Sequence, residues 1–83
     1  MPTARLLLQC FDADSCEVSF EPLGSVATLR SNDAFTVEFS GPGDGLVEVA
    51  YSPGWIIVCA WIDDGGEVAS ITATNKAGER LRL

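Results

Sequence analysis

Histidine is absent from this 83-residue chain, so the side chains left to do chemistry are twelve carboxylates, three cysteines and a set of hydroxyls. Losing imidazole removes the commonest general base at neutral pH and the commonest metal ligand. Nucleophile triads that rest on a Ser–His or Cys–His pair are excluded with it. Carboxylate pairs remain, and Asp63-Asp64 is the most conspicuous. It stands directly before Gly65-Gly66, where acidic residues serve turn geometry. No catalytic residue is assigned, and the chain is not read as an enzyme.

Metal chemistry fares no better. Asp12-Ala13-Asp14-Ser15-Cys16-Glu17 alternates acids as calcium loops do, but the twelve-residue length, central glycine and closing Glu are missing. A polar hairpin tip is the simpler reading. Cys10, Cys16 and Cys59 match no zinc spacing. Cys10 and Cys16 flank a turn and are able to bridge it as a disulfide if register and compartment allow. Cys59 lies in an apolar run and behaves as a small hydrophobe. The odd cysteine count favours a reducing cytosol, so neither metal nor cofactor is expected and the localisation read here is cytoplasmic.

Aromatic residues carry more information. The run Gly54–Ile62 is uncharged, with Trp55, Ile57, Cys59 and Trp61 on odd positions and Ile56, Val58, Ala60 and Ile62 on even ones. In an extended chain the two sets point to opposite faces. Both faces then need cover, Ile56, Val58 and Ile62 on one side and the tryptophans on the other. Six residues separate Trp55 from Trp61, which puts both on one face of one strand, with Tyr51 just before the turn that introduces it. Inside, the indoles supply core area; outside, they make an interface. Trp55, Trp61 and Tyr51, with the neighbouring Asp63 and Asp64, are the candidate binding residues.

The elements that position these residues are short strands separated by turn signals at close intervals. Asp12–Ser15 separates Arg5–Phe11 from Cys16–Leu23, and Pro22 with Gly24 precedes Val26–Ser31. Ala34–Ser40 ends at the loop Gly41-Pro42-Gly43-Asp44-Gly45, which no ladder accommodates. Leu46–Tyr51 leads into Ser52-Pro53-Gly54, a type II turn by its Pro then Gly. The central strand runs to the Asp63–Gly66 hairpin, Val68–Thr74 returns beside it, and Asn75–Gly78 turns into Glu79–Leu83. Phe35, Val37 and Phe39 oppose Thr36, Glu38 and Ser40, and Val47, Val49 and Tyr51 oppose Glu48, the pattern of strands with one wet face. Residues 25–33 read as a strand, with a short helix capped by Ser25 as the alternative.

The fold expected is all-β: one domain over residues 1–83, a small antiparallel β-sandwich or closed barrel of seven to eight short strands. At this length burial is modest, roughly 60–65% of the chain's surface. The N-terminus holds only Leu6-Leu7-Leu8 between Arg5 and Gln9, too short for an export signal, and no run approaches the length that spans a bilayer. The chain is therefore read as complete, with no membrane partner.

Net charge is −7, and eleven of the twelve carboxylates lie between Asp12 and Glu67, where Arg30 is the only basic residue. Such a body disfavours nucleic acid, whose affinity comes mostly from phosphate contacts, and favours basic protein surfaces. The function expected is a small acidic protein-interaction module of the inhibitor, immunity or antitoxin, or accessory-subunit type, docking on a larger or basic protein. A second reading is a self-assembling structural subunit, phage- or capsid-associated, whose copies pair sheets through Glu79–Leu83. A third is a carbohydrate-binding β module that stacks sugars on Trp55 or Trp61.

Overall fold

The computed structural model describes residues 1–11 and 13–83. Among the described residues seven strands follow one another without a helix: β1 (Thr3–Leu8), β2 (Ser15–Glu21), β3 (Ser25–Arg30), β4 (Phe35–Ser40), β5 (Glu48–Ser52), β6 (Trp55–Cys59) and β7 (Ser70–Thr74). They form two sheets, a three-stranded one ordered β1-β4-β7 and a four-stranded one ordered β3-β2-β6-β5. The architecture is a sandwich, and no closed barrel forms among the described residues. Residues 25–30 are a strand, as β-branched Val26 and Thr28 favour, so the helical alternative for 25–33 is not realised. Among the described residues no helix is long and apolar enough to cross a membrane.

Period-two alternation builds the core. Leu8 from β1, Phe35, Val37 and Phe39 from β4, and Ala73 from β7 meet Cys16, Val18 and Phe20 from β2, Leu29 from β3 and Val58 from β6. Of these, Val18, Phe20, Leu29, Val37 and Val58 are fully buried, the arrangement of two inner faces sharing one apolar layer. The chain reaches β2 from β1 through a segment closed by the Cys10–Cys16 disulfide, the pairing the sequence permits. Asp12, first of the alternating acids in that segment, lies outside the described residues.

Three features depart from the sequence reading. Four of the five strand pairs are antiparallel, but β2 and β6 run parallel, Val18 opposite Ile56 and Phe20 opposite Val58. The segment after the Asp63–Gly66 turn returns only briefly: the Ile62–Val68 bridge and the Ala69 N–H donating to the Trp61 carbonyl at 3.0 Å join the two arms of the turn, and β7 then pairs with β4 in the other sheet. The C-terminal segment forms no eighth strand. It folds back on β7 through a Thr74–Arg80 bridge and a Leu81 N–H donating to the Ala73 carbonyl at 2.8 Å, with Leu81 and Leu83 packed on the core.

Candidate functional site

The two tryptophans occupy different places. Odd residues of β6 face outward while Ile56 and Val58 face the core, and on that outer face the Trp55 indole N–H donates to Ser19 Oγ at 2.8 Å. Ser19 is buried, while Trp55 stays 42% exposed. Trp61 is 4% exposed. The strand ends at Cys59 and the chain then crosses between sheets, so the parity that puts Trp61 beside Trp55 no longer holds. Its ring packs on Phe39 at 6.3 Å between centroids, and its indole N–H donates to the Pro42 carbonyl at 2.9 Å. Gly43 permits this approach, because a Cβ there would stand 2.7 Å from Trp61 Cδ1. Trp61 is core, and the shared two-tryptophan face does not exist. Ile62, expected inside, is exposed for the same reason.

Asp63 and Asp64 flank that crossover. Asp63 Oδ1 accepts the Glu67 N–H at 2.7 Å, and its main chain exchanges bonds with Glu67 and Gly66. Its carboxylate shapes the turn, as an acid before two glycines does. Asp64 is exposed. Asp44 closes a similar local turn by accepting the Leu46 N–H at 3.0 Å. Together Asp44, Asp63 and Asp64 rim a shallow recess beside Ile62. Asp44 and Ile62 also border the neighbouring depression that reaches Leu46 and Glu48, so the acidic rim runs on to the start of β5.

Tyr51 is where the surface becomes apolar. β5 pairs with β6 across Ser52-Pro53-Gly54-Trp55, and Gly54 takes φ +76°, as the third position of a type II turn requires. In this register Val49 stands opposite Val58 and Tyr51 opposite Ile56, so both point toward the inner face. Yet Val49 is 50% and Tyr51 73% exposed, while Val58 is fully buried. The three-stranded sheet is one strand narrower than its partner sheet and leaves the inner side of β5 uncovered. The expectation of one wet face on this strand is corrected: all five residues of β5 are exposed.

Phe11, which the sequence places only at the end of a strand, extends the patch. Cys10 is buried and bridged to Cys16, so its neighbour turns outward, and Phe11 is 80% exposed. Phe11, Tyr51, Pro53 and Ile56 line one groove with the disulfide at its floor. A bulky apolar residue beside a bridged cysteine was the signal for it. Cys59, the free thiol, sits half-buried on the opposite, outer face; burial pushes its pKa above 9.0, and the carboxylates of Glu48 and Glu21 push it further. That thiol stays protonated at neutral pH and makes a poor nucleophile.

No protein family, curated protein or solved structure matches the chain.

Proposed function

We propose that this chain is a small acidic protein-interaction module that docks on a larger, basic protein through the β5–β6 hairpin and the bridged segment before β2. The observation that carries the reading is the aromatic and aliphatic patch of Phe11, Val49 and Tyr51, left uncovered in a small domain that needs its apolar area for folding. Aromatic anchors with a polar rim are how such surfaces gain affinity. Tyr51 and Phe11 take the anchoring role, Trp55 lies at the margin on the other face, and Asp63 and Asp64 belong to the acidic rim that steers a basic partner. An inhibitor, an immunity or antitoxin protein, or an accessory subunit each acts in this way.

The pairing of the C-terminal segment with the chain's own β7 weighs against the reading in which copies join sheets through Glu79–Leu83. The engagement of the Trp55 indole N–H by Ser19 and the burial of Trp61 weigh against two tryptophans stacking on sugars. A disulfide between Cys10 and Cys16 favours an oxidising setting over the cytoplasm that the odd cysteine count points to.

The test is capture from host extract on immobilised wild type and on a Phe11→Ala/Tyr51→Ala variant. Both side chains are exposed, so the variant's melting curve should be nearly unchanged. A basic protein retained by wild type, lost by the variant and lost again in about 0.5 M salt, where screening is nearly complete beyond ~4 Å, is the expected result. Retention indifferent to both changes would contradict the reading.

A further inference from the structure

The main chain of β5 has one open side, and the hydrogen-bond pattern shows which residues face it. Glu17 N–H donates to the Gly54 carbonyl at 2.8 Å and Ala60 N–H to the Glu21 carbonyl at 2.9 Å. Even-numbered residues of β6 therefore turn their amides and carbonyls toward β2, and the odd-numbered ones turn theirs toward β5. Trp55, Ile57 and Cys59 are opposite Ser52, Ala50 and Glu48, which are consequently the hydrogen-bonded pairs of that ladder. Val49 and Tyr51 are left to present N–H and C=O outward. These are also the two residues whose side chains the narrower sheet fails to cover. One edge thus offers unpaired main-chain groups and uncovered apolar side chains at the same positions.

Other edges differ. That of β7 is partly taken by the C-terminal segment. On β1 a charged residue, Arg5, stands mid-strand, and β3 ends on Arg30 with Leu29 fully buried, the charged marking that discourages pairing. Within β5 there is neither a basic residue nor a proline.

Charge decides the occupant. Between Arg30 and Lys76 the chain carries seven carboxylates and no Lys or Arg, and at the start of β5 Glu48 adjoins Asp44. A second copy would bring the same sign to the same edge. We infer that β5 takes an extended, basic segment of the partner protein as an added antiparallel strand, with apolar residues opposite Tyr51 and Val49 and a Lys or Arg opposite Glu48. Directly opposed residues share a face, so the two apolar side chains fall on the uncovered inner side. The basic one meets Glu48 on the outer side, and any that follow it run toward Asp44. Read in the partner from N- to C-terminus, the pattern is apolar–any–apolar–basic. The inference rests on the interaction-module reading and names the partner's recognised element.

The probe is a blocked synthetic peptide, Ser-Val-Thr-Val-Lys-Lys, beside its counterpart ending Glu-Glu, added to the full chain and followed by amide hydrogen exchange. At about ten times its Kd the lysine peptide should slow exchange at the Val49 and Tyr51 amides about tenfold, leaving the β1 and β3 edges unchanged. The glutamate peptide should bind at least about tenfold more weakly. Val49→Pro removes an outward N–H without touching a bond to β6 and should abolish protection at Tyr51, its melting curve reporting that the fold survives. Exposed Glu48→Lys should reverse the preference between the two peptides. Equal binding of both peptides, no protection at these amides, or protection on another edge would overturn the inference. Protection that grows with protein concentration alone would overturn it too, in favour of a second copy. A captured partner that requires Phe11 and Tyr51 yet leaves both amides exchanging freely would sink the added strand while sparing the module.

Discussion

Trp61 and Trp55 differ in what their removal should cost. Trp61 fills the space between Phe39 and the Gly41–Gly43 loop and is almost fully buried. Truncation of a buried tryptophan to alanine costs roughly 3–5 kcal/mol, against a total stability of about 4–12 kcal/mol for a chain of this length. Trp55 is held by one hydrogen bond to Ser19 and lies half open, which is worth about 1 kcal/mol. Denaturant titration should therefore place Trp61→Ala far below wild type, or unfolded, and Trp55→Ala close to it. Equal losses would mean the indoles share one environment. At this scale the sequence was legible wherever a strand stays in one sheet: the alternation of Phe35, Val37 and Phe39 reads straight onto their burial. It failed at Trp61 because parity carries no record of the point at which a chain crosses between sheets. It failed at Phe11 because the outward turn depends on the Cys10–Cys16 bridge.

Elements are joined at one end of the sandwich by a side chain that looks ordinary in sequence. Asp33, in the β3–β4 connection, accepts the N–H of Ala34 and the N–H of Lys76, each at 2.8 Å and both on Oδ1. The Lys76 bond, then the Ala34 bond, hold its carboxyl below the ordinary value of 3.8. A depressed folded-state pKa contributes stability that is fully present above 3.8 and is lost as pH falls through the lowered value. Asp33→Asn keeps an acceptor but not the charge. It should melt below wild type at pH 7, with the gap closing as pH is taken under 3.8; a gap of constant size would show that the charge is irrelevant. Strand positions were largely readable, since Gly, Pro and Asp clusters mark the breaks between them. Strand partners were not. Alternation states which side of a strand is buried, and nothing about its neighbour, so the parallel β2–β6 pair and the departure of β7 to the other sheet left no local trace.

Across the whole molecule, a four-stranded sheet is packed on a three-stranded one, and the surplus strand is where apolar surface, open main-chain groups and carboxylates come together. The apolar content of Gly54–Ile62 foretold that some surface would need cover, and it put that surface on β6. The structure moves it one strand over, because Val58 and Ile56 are served by the facing sheet while Val49 and Tyr51 on β5 are not. A net charge of −7 opposes self-association of like surfaces, and under the proposal above this edge is left to a partner of opposite sign. The mass of the unreduced protein in solution, by size-exclusion chromatography with light scattering, tests that claim most directly. It should be 8.8 kDa at every concentration examined. A dimer that Val49→Pro returns to monomer would contradict the account, since a second copy would then already occupy β5.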